Sequence, residues 1–169
     1  KLVVVDPNFT ETAQKADEWI PIKPGTDGAF ALAMCSVIVS DRLYDEEFVA
    51  NYCHGFDGFK QHLESNEFSP DWAENITGIP SSTIRRLAQE FASTKPSMSA
   101  IFKGSGYYTN GADAGRACYI LNAICGEVDK PGNLHLKDWA PLKMPVVIPD
   151  EVKTKPERDP LHIAMGYPL

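Results

Sequence analysis

The feature that most constrains the fold is an apolar strand pattern that stops at a proline turn and leads into a helix. Leu2–Val5 is typical of a strand buried on both faces of a parallel sheet. Asp6–Asn8 ends this strand with turn residues. Short strand patterns recur at Trp19–Ile22 and Ser97–Phe102, with helical patterns between them. Because such strands can pair in parallel only through helical crossovers, the sequence predicts an α/β fold.

Capping and turn residues indicate where the helices begin and end. The stretch that follows Gly28 carries an apolar stripe, and either Thr26 or Asp27 caps it. Together with the strands, the helices predict a parallel sheet with helices on both faces, as in dinucleotide-binding domains. The predicted helices run from the Thr10 cap through Ala16, from Asp27 to Ser40, over Glu46–Tyr52, Asp57–Leu63 and Asp71–Ile76, from Ser81 or Ser82 to Ala92, and from Gly111 to Cys125.

The character of the chain changes at Pro131. Seven of the 13 prolines lie from this residue onward. Proline fixes φ and removes a backbone donor, so such a segment is extended and builds no core of its own. We therefore predict an α/β domain over residues 1–130 and an extended proline-rich segment over 131–169, which serves as a strap or a connection.

Composition and motif content exclude several classes of protein. The chain has 169 residues with 16 Lys+Arg against 23 Asp+Glu, and its net charge of −7 argues against a general nucleic-acid binder. No run approaches the ~18 apolar residues of a transmembrane helix, so no direct membrane insertion is predicted. The four cysteines form no C-x-x-C pair, and no nucleophile–histidine or Walker motif occurs. The sequence predicts no metal site and no catalytic cluster.

Two segments combine a strand end, a turn and a helix start: Asp6–Thr10 and Lys103–Tyr107. In open parallel sheets, ligands bind beyond the carboxyl ends of strands, where loops expose backbone donors. The two glycines of the second segment permit close approach to a pyrophosphate, and its lysine adds a positive charge. The Asp6 carboxylate can accept hydrogen bonds from ribose hydroxyls. Ordinary turns without any ligand explain the same residues equally well.

Asp27 allows a more specific hypothesis. A carboxylate can accept two parallel hydrogen bonds from the N1–H and the exocyclic amine of guanine, a pair of donors that adenine lacks. An aspartate at the start of a helix is also a common N-cap that needs no ligand. Both interpretations of Asp27 stay open at this point.

A different function is suggested by Trp72–Leu87. This stretch has the spacing of a helix-turn-helix motif, with a turn at Gly78 and the basic pair Arg85 and Arg86 on the second helix. The acidic net charge and the acidic residues around the motif argue against DNA, since useful affinity needs several phosphate contacts. A structural pair of helices is the simpler interpretation, and a DNA-binding module is the alternative function.

Two sets of motifs resemble the molybdopterin oxidoreductases of the dimethyl-sulfoxide-reductase class. The resemblance extends over nearly the whole chain, and the motifs are specific in combination. The first set is Val5–Ala13, Ala16-Asp17 and Pro24–Ala29. The second is Gly104–Gly111, Arg116, Leu121–Ala123, Gly126 and Pro131–Asn133.

This resemblance implies a cofactor and a set of residues that bind it. Members of the family bind two molybdopterin guanine dinucleotides around one molybdenum or tungsten, and this stretch is similar to the α/β domain that holds the guanosine diphosphate end of one of them. Asp27 is then expected to contact guanine. Asn8 departs from the arginine usual in the family. By position, the cofactor-binding residues are Asp6, Pro7, Asn8, Phe9, Thr10, Gly25, Thr26, Asp27, Lys103, Gly104 and Tyr107.

The resemblance also implies what lies outside this chain. The family's iron–sulfur cluster, its metal-ligating residue and its C-terminal cofactor-binding barrel match none of these residues, so the isolated chain is expected to be inactive. A start within a strand pattern fits a piece of a longer polypeptide. Expected partners are the remaining domains of the same large subunit and an iron–sulfur electron-transfer subunit, but no nucleic acid. The parent would be a prokaryotic enzyme of anaerobic respiration, periplasmic or cytoplasmic.

The expected substrate of the parent is a small inorganic or one-carbon compound. The stretch Gly126–Leu142 favours the polysulfide and thiosulfate reductase branch of the family. The other motifs are shared with formate dehydrogenases and nitrate reductases, which stay open as alternatives.

Overall fold

The computed structural model describes residues 1–135, which form two short strands and eight helices. The strands are β1 (Val3–Val5) and β2 (Glu18–Ile20). The helices are α1 (Glu11–Lys15), α2 (Asp27–Ser40), α3 (Glu46–Tyr52), α4 (Phe56–Ser65), α5 (Pro70–Thr77), α6 (Ser81–Ser93), α7 (Lys103–Gly106) and α8 (Gly111–Ile124). The predicted proline-rich segment 131–169 lies outside the described residues from 136 onward, so the predicted domain boundary stays a prediction.

The two strands pair in parallel, as the sequence predicts. Val3 pairs with Glu18, and Val5 pairs with Ile20. The connection runs through α1, whose cap is the Thr10 hydroxyl, which accepts the Ala13 N–H at 3.2 Å. The chain therefore contains one β–α–β unit, and the carboxyl ends of both strands lie at the same edge of the sheet.

The predicted third strand is wrong. Among residues 1–135, Ser97–Phe102 belongs to no strand. Ser99 instead bonds to the side chain of Asn122, whose Oδ1 accepts the Ser99 N–H at 2.7 Å and whose Nδ2 donates to the Ser99 carbonyl at 2.8 Å. Asn122 is completely buried on α8. A side-chain amide thus satisfies the backbone groups that a neighbouring strand would satisfy in a sheet.

The core is built around α2 rather than around the sheet. This helix contacts α4, α5, α6 and α8. Phe30, Met34, Val37 and Ile38 are buried, as the predicted stripe requires, but Ala33, Cys35 and Val39 are buried as well. A helix that is apolar on every side has to be surrounded by other elements. The expectation of a sheet-centred fold is therefore corrected to a small parallel sheet beside a helical core.

Among the helices of residues 1–135, α1, α3 and α5 begin at side-chain caps. Asp45 Oδ1 accepts the Phe48 N–H at 2.9 Å, and Ser69 Oγ accepts the Trp72 N–H at 3.1 Å. Gly78 ends α5 in the left-handed conformation with φ of +78°. The predicted turn at Lys103–Gly106 is different, because this segment forms one turn of helix. Within residues 1–135, no helix has the length and apolar character needed to cross a bilayer.

Replacing Asn122 tests whether its amide takes the place of a strand. Asn122→Leu keeps the branched shape of the side chain but leaves the N–H and C=O of Ser99 without partners. We expect a loss of about 2–4 kcal/mol in the free energy of unfolding, measured by urea denaturation. Asn75→Leu is the control, since Asn75 is exposed and donates only to the nearby Asp71 carbonyl. Equal losses in the two variants would contradict this role of Asn122.

The buried thiols predict a loss of stability at alkaline pH. Burial raises the pKa of Cys118 and that of Cys125 to about 11, from an ordinary value of 9.0. The unfolded chain therefore releases these protons before the native chain does, and their contribution to stability is complete below pH 9 and is lost as pH rises from about 9 to about 11. A Cys118→Ala, Cys125→Ala double variant should lose free energy of unfolding less steeply across that range than the unsubstituted chain.

Candidate functional site

The first predicted segment forms a tight turn at the carboxyl edge of the sheet. Asp6 Oδ1 accepts the Asn8 N–H at 2.7 Å, and the indole N–H of Trp19 donates to the Asp6 carbonyl at 2.9 Å. Phe9 packs on Trp19 with its ring centroid 5.0 Å away, yet 57% of Phe9 stays exposed. Pro7 and Asn8 are also exposed. The turn is held from inside by its own contacts, and its outer surface is open.

The second part of the site, Gly25–Asp27, follows β2 and leads directly into α2. Gly25 has a φ of +77°, a conformation that glycine adopts without strain. Thr26 occupies the N-cap position, but its hydroxyl donates to the Lys23 carbonyl at 2.6 Å instead of capping the helix. Asp27 is the first residue of α2 and is half-buried. This loop therefore places a carboxylate at the start of a long helix.

The third part is the helical turn α7 with the residues that follow it. Lys103, Gly104 and Tyr107 are exposed, and 79% of Tyr107 is accessible. A Cβ placed on Gly104 would meet no atom within 4 Å, so the backbone is open to an approaching group. The end of α7 packs against the start of α8, because a Cβ on Gly111 would lie 2.5 Å from the carbonyl oxygen of Gly106.

Tyr108 and Asn110 join this third part to the Gly25 loop. The Asn110 amide donates to the Gly25 carbonyl at 3.1 Å. A Cβ on Gly25 would lie 3.0 Å from Cδ1 of the Tyr108 ring. The structure thus brings together two of the three predicted segments. The Asp6–Thr10 turn shares the sheet edge with Gly25–Asp27, but no hydrogen bond or ring contact within residues 1–135 joins that turn to the other two segments.

The starts of α2 and α8 lie side by side. A Cβ on Gly28 would be 3.3 Å from Cα of Ala114, so a larger residue there would push the two helices slightly apart. Asp27 also lies near α8, since burial and then the negative charge of Asp27 raise the pKa of the Cys118 thiol. The first turns of α2 and α8 are therefore in contact with each other.

Both of these helices lack a side-chain cap. Among N-cap residues of the described chain that carry a suitable oxygen, Thr10, Asp45 and Ser69 cap their helices. Thr26 and Asn110 do not, although their side chains are of capping types. The first N–H groups of α2 and α8 receive no bond from these side chains. Such groups, with the positive end of the helix dipole, can hold an anion.

An apolar groove of about 610 Å³ lies along the outer surface of α8. Its lining includes Gly111, Gly115, Tyr119 and Ile120. None of the residues predicted to bind the cofactor lines this groove. The groove meets the candidate site only at Gly111 and Ala112, the first residues of α8.

The predicted helix-turn-helix exists as a helix pair, but its charges are used within the chain. Arg86 forms ion pairs with Glu18 on β2 and with Glu90 on α6. The backbone N–H of Ser81, at the start of the second helix, donates to the Glu74 carboxylate at 2.8 Å. Arg85 is exposed. The Glu74 carboxylate therefore lies at the end of α6 that would contact DNA. Arg86, one of the two arginines, is already ion-paired.

Two residues of the site, Tyr108 and Asn110, are not predicted from the sequence. Tyr108 and Asn110 lie within the second motif, but neither was chosen as a site residue. Asn110 fits an ordinary helix cap, and nothing in the sequence indicates that its amide reaches Gly25. Only the adjacent starts of α2 and α8 reveal this contact.

Comparisons with known proteins identify the family of this chain. The sequence profile of the molybdopterin oxidoreductase family matches residues 1–155. The chain is 37% identical over 155 residues to the molybdopterin-containing subunit of the arsenate respiratory reductase of Chrysiogenes arsenatis, covering 79% of this chain and 18% of that protein. It is 34% identical over 139 residues to the corresponding thiosulfate reductase subunit of Salmonella typhimurium, covering 81% and 18%.

A solved structure shares the fold. The chain matches acetylene hydratase from Pelobacter acetylenicus with a TM-score of 0.68 and 41% identity, over 75% of this chain and 17% of that one. The chain thus spans less than a fifth of the length of these relatives. The matched region contains both motif sets that were recognised in the sequence. The chain therefore belongs to the molybdopterin oxidoreductase family.

Proposed function

We propose that this chain is part of the large subunit of a molybdenum or tungsten oxidoreductase and binds the guanosine diphosphate end of one molybdopterin guanine dinucleotide. The observation that carries the proposal is the pair of adjacent, uncapped helix starts beside Gly25–Asp27. The Gly111 N–H already donates to the Tyr108 carbonyl, so the donors proposed for the diphosphate are the N–H groups of Asp27 and Gly28 in α2 and of Ala112 and Asp113 in α8. The Asp27 carboxylate suits the two donors of guanine.

The other predicted residues have supporting roles in this proposal. One carboxylate oxygen of Asp6 is engaged by its own turn. The other is assigned to a ribose hydroxyl. The surface of this turn that faces the cofactor is assigned to Pro7, Asn8, Phe9 and Thr10. Lys103 supplies a positive charge, and Gly104 and Tyr107 present open backbone and ring surface to the cofactor.

The chain's role is to bind and orient the cofactor. In the parent enzyme the cofactor metal supplies the redox chemistry. The iron–sulfur cluster and the metal-ligating residue are assigned to other parts of the large subunit, and electrons leave through an iron–sulfur partner subunit. On this proposal the isolated chain binds without catalysing.

The relatives support a binding role that does not depend on substrate. Proteins named for arsenate reduction, thiosulfate reduction and acetylene hydration all match this same stretch at 34–41% identity. Because the reactions differ, the stretch that these proteins have in common is expected to serve the cofactor and not the substrate. Polysulfide or thiosulfate remains our preferred substrate of the parent, with formate and nitrate as alternatives, and residues outside this stretch are expected to select it.

Asp27 provides the direct test. In the full-length holoenzyme, Asp27→Asn removes the charge that strengthens both bonds to guanine. The guanine nucleotide retained per polypeptide after dialysis should fall from about two equivalents towards one, because the second molybdopterin guanine dinucleotide is held elsewhere in the enzyme. It is quantified by chromatography after acid hydrolysis. Asp57→Asn is the matched control, because Asp57 lies in the first turn of α4 and is exposed. Wild-type retention in the Asp27 variant would sink the proposed contact.

DNA binding is tested separately. Duplex DNA titrated at 50 and at 200 mM salt, values that span the usual roughly 10³-fold or greater salt response, should show no specific anisotropy change. The −7 charge and the ion-paired Arg86 are the reasons. Salt-sensitive binding that disappears in an Arg85→Ala, Arg86→Ala double variant would instead favour the helix-turn-helix alternative.

A further inference from the structure

Asn110 makes a contact that is unusual for the residue at the start of a helix. An N-cap asparagine ordinarily accepts a hydrogen bond from the second or third N–H of its own helix. Asn110 makes no such bond, and its Nδ2 donates to the Gly25 carbonyl, 85 residues away in sequence. Because a carbonyl can only accept, this contact requires the amide donor of asparagine. The Asn110 side chain therefore links the starts of α2 and α8 and does not cap α8.

Gly25 is held on a second side by Tyr108. At Gly25 a Cβ would lie 3.0 to 3.3 Å from three carbons of the Tyr108 ring. The backbone there is also left-handed, with φ of +77°. The ring therefore covers the α-carbon of Gly25 while Asn110 binds its carbonyl. Both contacts come from the segment that separates α7 from α8.

These contacts fix the peptide plane that leads into α2. The Gly25 carbonyl and the Thr26 N–H belong to one planar peptide unit. Asn110 binds the carbonyl end of this unit, and the Lys23 carbonyl accepts the Thr26 N–H at 3.3 Å. With both ends held, the plane cannot rotate without breaking a hydrogen bond. The direction in which the chain enters Asp27 is thereby set by Asn110 as well as by its own loop.

We infer that Asn110 is a positioning residue that couples the loop before α8 to the nucleotide-binding loop before α2. The inference rests on the proposed function, and it deepens that function by naming what orients Asp27. Asn110 acts through the Gly25–Thr26 peptide and needs no contact of its own with the nucleotide. Loss of its amide should weaken nucleotide binding while the start of α8 remains intact.

Asn110→Ser separates positioning from helix capping. Serine is as common at the N-cap position as asparagine, so the substitution leaves a residue of capping type before α8, but the shorter side chain has no amide to reach Gly25. In the full-length holoenzyme, we expect the retained guanine nucleotide to fall from about two equivalents towards one, as in the Asp27 variant but less completely. The thermal midpoint of the cofactor-stripped subunit should stay unchanged. Asn51→Ser is the matched control, because Asn51 donates only to the Glu47 carbonyl one turn earlier in α3.

The outcomes separate this inference from the proposed function. Reduced retention in both Asn110→Ser and Asp27→Asn, with wild-type retention in Asn51→Ser, supports the coupling. Wild-type retention in Asn110→Ser together with a loss in Asp27→Asn overturns the coupling and leaves the proposed function standing. Wild-type retention in both variants overturns both proposals. A thermal midpoint lowered by several degrees in Asn110→Ser alone would make Asn110 a structural residue and overturn its positioning role.

Discussion

Helix α2 approaches α8 so closely that a single methyl group at Gly28 would touch the backbone of Ala114. Much of the described chain is arranged around this contact. Because α2 is buried on all sides, α4, α5 and α6 must cover the surfaces that α8 leaves open. The same contact brings the two helix starts to one place, where their N–H groups and the Gly25 loop meet. The contact between α2 and α8 therefore determines both the packing of the core and the geometry of the site.

Seven of the eight helices between residues 1 and 135 were predictable because each has a local signal, whereas α7 was predicted as a turn. Apolar periodicity and side-chain caps such as Asp45 and Ser69 place them to within a few residues. Ser97–Phe102 was not predictable, because an apolar run cannot reveal whether a neighbouring strand is present. Asn122 supplies the partner instead, and a buried asparagine within a helix pattern gives no sign of this in the sequence. The strand prediction for Ser97–Phe102 failed because of this tertiary contact and not because of the intrinsic strand propensity of the segment.

The candidate site shows the same division. Strand ends and turns identified Asp6–Thr10 and Lys103–Tyr107 as separate segments, and the family resemblance added Gly25–Asp27. The position of one segment relative to another depends on close contacts at Gly25 and Gly111, which are seen only in the folded chain. Asn110 illustrates the limit well, since the residue type predicts a local cap and the structure shows a bond to a distant loop. Sequence thus identifies the parts of a site more readily than the contacts that hold the parts together.

The helix pair α5–α6 shows why spacing alone is weak evidence for function. Its turn and its two arginines fit a DNA-binding motif, yet packing accounts for most of α6. Ile84 and Leu87 are buried, and Arg86 ties the helix to β2 through Glu18. Lys1 bonds to Glu18 and Glu90, which completes a network of two positive and two negative charges. A balanced network of this kind leaves little net charge for a polyanion, so the same arginine that suggests DNA in the sequence holds the sheet against the helical core.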